Sequence, residues 1–176
     1  MRLDELPPEV LHQLAYTGWL SYLEIINLAC SSEALFEKLT GDDYSKRRLR
    51  VFVGPYRCVD QGWTKALKLY ASMAKMSMRW VLQYIARKGK LEVMKELVDD
   101  PFICPNQYAL WSAISYGQTE MVDFLMTLES VDPAFISASD IGKAMMHGRH
   151  NAICAFLHSD RVDPKLRERF PRYLDT

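Results

Sequence analysis

The sequence is poor in the features that mark an enzyme, a secreted domain or a membrane protein. Its four cysteines, Cys30, Cys58, Cys104 and Cys154, stand far apart with no Cys-x-x-Cys pair. That spacing argues against zinc and dithiol chemistry and marks them as reduced thiols, mostly buried. No run approaches the roughly 20 apolar residues that span a bilayer, and no signal-type apolar segment follows Met1. A membrane partner is not expected, and the expected location is cytoplasmic or nuclear. There is no Gly-rich phosphate loop, no His-Glu-x-x-His and no nucleophile elbow. His147 and His150 straddle Gly148 instead of sharing a helical face, and with His158 they lack a cysteine pair to complete a tetrahedral set. The expectation is a chain with no catalytic residue, no metal and no cofactor.

Net charge is also lacking, but the zero conceals a segregation. From Lys46 to Lys95 thirteen basic residues face only Asp60 and Glu92, a stretch of +11. From Glu96 to Asp140 eight acidic residues occur with no Lys or Arg, a stretch of −8. Such blocks serve solubility and attraction between neighbouring segments, or they form a basic patch for an acidic partner. The patch would consist of Lys46, Arg47, Arg48 and Arg50, aligned with Lys65 and Lys68.

What is present is a repeat. Gly89, Gly117 and Gly148 are each followed sixteen residues later by a proline, Pro105, Pro133 and Pro164. Each glycine is placed to stop a first helix, because a residue tolerant of positive φ closes that end cheaply. Apolar residues then recur on one helical face of a second helix: Val93, Met94, Leu97 and Val98; Met121, Val122, Leu125 and Met126; Ala152, Ile153, Phe156 and Leu157. Proline ends the unit, and the period is 28 and then 31 residues. Helix pairs this short bury their apolar faces by stacking on one another, so an all-α solenoid of about three units is expected. The segment from Lys165 to Arg172 is polar enough to cap it, with a frayed tail over Tyr173 to Thr176.

From about Met78 to Pro164 this pattern resembles ankyrin repeats, in units shorter than the usual roughly 33 residues and without the family's Thr-Pro-Leu-His tetrapeptide. The short period shifts the expected binding surface from loop tips to first-helix faces. Arg79, Trp80, Tyr108, Trp111 and Lys143 are the candidate target-binding residues, since aromatic anchors dominate interface energetics.

The N-terminal segment reads as short helices. Leu6-Pro7-Pro8-Glu9-Val10-Leu11 opens the first, with Val10, Leu11, Leu14 and Ala15 expected inward. Ser21-Tyr22-Leu23-Glu24 has capping-box spacing and starts a second, with Leu23, Ile26 and Leu28 inward. A third begins at Ser31 or Ser32, carries Leu35, Phe36 and Leu39, and stops near Gly41. From about Leu3 to Leu49 this arrangement resembles an F-box, with Tyr44 near the place where many members carry tryptophan. The resemblance implies docking onto the Skp-type adaptor of a cullin-RING ubiquitin ligase through Leu6, Pro7, Val10, Leu11, Leu23 and Ile26. It further implies that Leu11→Asp abolishes capture with the fold intact. An F-box followed by ankyrin repeats is a pairing familiar from protists and the large DNA viruses that infect them, which implies such an origin.

The expected organisation is therefore an F-box-like module over 1–54, a basic connecting helix over 55–77, repeats over 78–164, and a cap with tail over 165–176. The expected function is a non-enzymatic adaptor that brings a target to a Skp-cullin-type ubiquitin ligase by proximity. Two readings stay open beside it: a ligase-independent scaffold in which the N-terminal helices only cap the stack, and a nucleic-acid-binding protein that uses the basic stretch.

Overall fold

The computed structural model describes residues 3–16, 20–42, 54–68, 78–100 and 103–174. Every regular element among the described residues is helical, so the chain is all-α. It divides into two compact units, Met1–Met76 and Ser77–Thr176.

In the first unit a 3-10 turn, Leu3–Glu5, leads into α1 (Pro8–Tyr16), α2 (Tyr22–Cys30), α3 (Glu33–Thr40) and α4 (Pro55–Gln61). A further helical stretch is described over 64–68. The capping box at α2 is complete: Ser21 Oγ accepts from the Glu24 amide while the Ser21 amide donates to Glu24 Oε2 at 2.7 Å. Ser21 Oγ also donates to Glu24 Oε2 at 2.7 Å, and this bond, followed by that from the Ser21 amide, holds the Glu24 carboxyl below its ordinary range. Leu11 and Ala15 of α1 meet Ile25 and Ala29 of α2 and Leu35 and Leu39 of α3 in one core.

Polar bonds set the rotation of α1. His12 Nε2 lies 2.8 Å from the Lys38 carbonyl, and Tyr16 Oη donates to the Leu39 carbonyl at 3.0 Å. Lys38 Nζ in turn donates to the carbonyls of Asp4 and Leu6. With His12 and Tyr16 held to α3, Leu11 and Ala15 turn inward and the row one step back turns out. Val10 is 39% exposed and Leu14 50% exposed, contrary to the inward positions expected for them.

The second unit is three helix pairs: α5 (Arg79–Lys88) with α6 (Leu91–Val98), α7 (Gln107–Tyr116) with α8 (Thr119–Thr127), and α9 (Ala138–Met146) with α10 (His150–His158). First helices begin at 79, 107 and 138 and second helices at 91, 119 and 150, so each pair keeps the same offsets from Gly89, Gly117 and Gly148. Those glycines have φ of 65°, 76° and 70°, the left-handed region the turn requires. The expected apolar faces are buried at every position but Val98, which is half-buried. First helices contribute Val81, Leu82, Ile85 and Ala86 in α5 and Ala109, Leu110, Ala113 and Ile114 in α7. Side by side, α5 packs on α7 and α7 on α9, while α8 packs on α10.

The loops close each pair. Ile103, Val131 and Val162, each two residues before the repeated proline, are buried. Asp132 and Asp163 accept from the amides of Ala134 and Lys165, both at 2.9 Å, and start short turns at Pro133 and at α11 (Pro164–Arg167). Arg161 reaches back to the preceding pair, donating through Nη1 to the Met126 and Leu128 carbonyls and through Nη2 to that of Val131, at 2.6–2.8 Å. The Met126 carbonyl is one of those that the last turn of α8 leaves without a helical partner, and the other two belong to the loop that follows. The expected frayed tail is corrected at Tyr173: it is 9% exposed, stacks on His150 at 5.8 Å between centroids, and its hydroxyl lies 2.8 Å from His150 Nδ1. One aromatic ring with a polar tip thus seals the outer face of α10.

Two predictions follow the geometry of this unit. Gly117→Ala must hold a Cβ at φ 76° and only 2.9 Å from Arg149 Cδ, whereas Gly142, inside α9, has open space around the same position. Urea unfolding should show Gly117→Ala destabilised by about 1–3 kcal/mol and Gly142→Ala stabilised by about 0.5–1 kcal/mol. Equal effects of the two would refute the account of the turn.

At the start of α9, Ser137 Oγ donates to Asp140 Oδ2 at 2.6 Å and the Ser137 amide adds a second bond, which hold the Asp140 carboxyl below its ordinary range. A carboxyl lowered in the folded state stabilises above its ordinary value and loses that contribution as pH falls through the lowered one. Ser137→Ala should therefore cost about 1 kcal/mol at neutral pH, and the gap should shrink on acidification. A gap independent of pH would show that the cap acts without the carboxylate.

Candidate functional site

The buried residues of α5, α7 and α9 occupy one side of each helix, which leaves an open side for the rest. Trp80 stands there 65% exposed. Beside it the Arg79 guanidinium lies 3.5 Å from the centroid of the Tyr108 ring and 5.8 Å from that of Trp80, and Tyr108 packs on Phe135 at 4.9 Å between centroids. Arg79 Nε is shut off from solvent and makes no hydrogen bond, so ring contact is what compensates this part of the guanidinium. A second couple joins the same helices one end further on: Arg87 sits 4.4 Å over the Tyr116 ring. Cations of the first pair are thus laid on aromatic faces of the second.

Between α7 and α9 the open side sinks into a cavity of about 300 Å³ lined by Trp111, Ser115, Tyr116, Lys143, His147 and Arg149, with Ala144 at its floor. Trp111 and Ser115 are one helical turn apart on α7, and Lys143 and His147 are one turn apart at the end of α9. Arg149 follows the turn glycine, and its Cδ packs against Gly117. No carboxylate lines the cavity, and the nearest acid is Asp140, 3.6 Å from an exposed Lys143 Nζ. Ser115 Oγ is buried and makes no hydrogen bond.

Charge is sorted by helix in this unit. The first helices carry Arg79, Arg87, Lys88 and Lys143 against Asp140, a net +3, and the second helices carry Glu92, Glu96, Glu120 and Asp123 against Lys95, a net −3. Counting along the chain gives a basic block followed by an acidic one. All of the first-helix excess lies on α5, since α7 carries no charge and Lys143 and Asp140 of α9 cancel, while the second-helix excess is divided between α6 and α8.

The five candidate target-binding residues all lie on first helices, and the structure brings them together in two groups. Arg79, Trp80 and Tyr108 form one, and Trp111 and Lys143 line the cavity. Phe135, Ser115, Tyr116, His147 and Arg149 belong with them and escaped the sequence analysis. Arg149 and Gln118 occupy the same place after their glycines, and that shared offset is the signal that could have flagged Arg149.

The chain matches no family model, no curated protein and no solved structure.

In the first unit the six candidate adaptor-binding residues separate. Pro7 and Val10 are exposed and Leu6 is half-buried. Leu11 and Ile26 are 1% and 2% exposed and belong to the unit's own core, so neither side chain is offered to a partner as the fold stands. The expectation that Leu11→Asp spares the fold is corrected accordingly: a charge there would be buried without a partner. The Leu23 side chain lies outside the described residues. So do Lys46, Arg47, Arg48 and Arg50 of the basic patch, while Lys65 and Lys68 are half-buried in the helical stretch over 64–68. Among the described residues no group of three His, Cys, Asp or Glu is placed to hold a metal ion, and no helix is long and apolar enough to cross a membrane.

An exposed aromatic that packs little should be dispensable for folding. Trp80→Ala is expected to change stability by less than about 0.5 kcal/mol, whereas Leu110→Ala, fully buried in α7, should cost about 2–5 kcal/mol. Chemical denaturation of the two variants checks this, and a large loss at Trp80 would make it a structural residue.

Proposed function

We propose that the chain is a non-enzymatic adaptor in which an F-box-like N-terminal unit docks onto the Skp-type adaptor of a cullin-RING ligase and an ankyrin-like helical solenoid holds the target. The observation that carries the docking half is the outward row on α1. Pro7, just before the helix, and Val10 and Leu14 on it are exposed one step away from the buried Leu11 and Ala15. Apolar side chains left outside a complete core are what a partner's groove would cover. The target-holding half is supported by the constant offsets of the three helix pairs and by the aromatic and cationic residues on their first helices. In this reading the chain supplies proximity and orientation, and the transfer chemistry belongs to other subunits.

Leu6 and Pro7 keep their assignment to the docking surface, Leu14 joins Val10 on it, and Leu11 and Ile26 act by shaping it from beneath. The paired variant Val10→Asp with Leu14→Asp should abolish co-purification with a Skp-type adaptor from host-like extract while leaving the helical circular dichroism and the unfolding midpoint unchanged. Capture that survives both charges would refute docking through α1.

A further inference from the structure

The cavity between α7 and α9 is built for an anion. We infer that it takes a phosphorylated side chain of the target peptide, an inference that deepens the target-holding half of the proposed function and rests on it. Lys143, His147 and Arg149 converge on one cavity of about 300 Å³ from two successive turns of the chain, and no carboxylate lines it to neutralise them. Asp140, bonded to the Ser137 hydroxyl and amide, also pairs with Lys143 at 3.6 Å, so an incoming anion shares Lys143 with one carboxylate and has Arg149 besides. At the wall, Ser115 Oγ is withdrawn from water with no acceptor or donor in the protein. Ser115 lines the cavity, and a ligand oxygen reached by rotation about its one side-chain torsion would satisfy that hydroxyl.

The number of donors favours phosphate over carboxylate. A carboxylate carries one charge and is satisfied by one guanidinium, whereas a phosphate monoester brings about −1.5 to −2 charges and three acceptor oxygens near neutral pH. Arg149 offers a planar fork to two of those oxygens and Lys143 a point charge to a third. Trp111 and Tyr116 give the cavity aromatic walls that a bare inorganic ion would not use, but that the chain flanking a phosphorylated residue would cover. Arg87 over Tyr116, a residue of the cavity wall, extends the cationic surface to the first pair.

The probe is N-acetyl-phosphoserine amide, titrated into the full chain and followed by amide and indole chemical shifts. Saturable shifts are expected at Trp111, Ser115, Lys143, His147 and Arg149, with none from N-acetyl-serine amide. Affinity should fall about tenfold with N-acetyl-glutamate amide, and by a similar factor in Lys143→Glu and in Arg149→Gln. Three results would overturn the inference: equal affinity for the glutamate and phosphoserine probes, equal affinity for inorganic phosphate, or shifts centred on the 46–95 basic stretch instead of the cavity. Because Lys143 is an exposed residue, Lys143→Glu should leave the unfolding midpoint in place; unchanged probe affinity in that variant would also refute the assignment. Co-purification of the adaptor through α1 does not involve this cavity, so either result can fail while the other stands.

Discussion

Each helix pair of the C-terminal unit turns on a glycine held at positive φ, and the rest of the unit depends on that reversal. The bare Cα does two things. It admits a backbone conformation that L side chains resist, and it leaves room for the next pair to come close. A Cβ on Gly89 would collide with the Gln118 side chain, whose Nε2 donates instead to the Arg87 carbonyl at 3.1 Å. A Cβ on Gly117 would press on Arg149. The residue following one glycine therefore packs over the glycine before it, which transmits the register of one pair to the next. Arg161 does the same at the opposite end of the pairs, binding three carbonyls around the end of α8.

Register has a chemical consequence. Once α7 lies beside α5 at a fixed offset, Arg79 and Arg87 of α5 fall on Tyr108 and Tyr116 of α7. Once α9 lies beside α7, Lys143 and His147 fall opposite Trp111 and Ser115. None of these neighbours is close in sequence, and none is buried enough to be explained as core. The cavity also needs Arg149, whose position is fixed by its packing on Gly117. The same contact that aligns two pairs thus carries a guanidinium to the mouth of the site.

Much of this was legible before any coordinates. Glycine spacing gave the turn positions, and the apolar face of the second helices was readable because 3.6-residue periodicity is strong where one face is fully buried. The first unit shows where that signal weakens. On α1, Val10, Leu11, Leu14 and Ala15 form a stripe wide enough to face inward in more than one rotation, and apolar periodicity alone does not choose. The choice is made by polar bonds from His12 and Tyr16 to α3, whose acceptors are carbonyls 26 and 23 residues away. Tyr173 was missed for a related reason: its burial depends on a ring and a hydrogen bond from His150 that no local pattern announces.

Charge was the least legible property, since order along the chain hides position across the fold. A run counted from Lys46 to Lys95 mixes α5, whose cations sit in the first-helix layer, with α6, whose exposed Glu92 belongs to the opposite one. After folding, the +3 of the first helices lies on α5 alone and the −3 of the second helices on α6 and α8, so α5 presents the cations and α8 the acids. An acidic group is drawn toward α5 and repelled from α8 before any contact forms. Short-range selectivity then falls to the groups that the helix register has gathered: rings that offer flat area, and the cations laid beside them. A net charge of zero for the whole chain is compatible with strong discrimination, because what a partner meets is a local set of charges and not a sum.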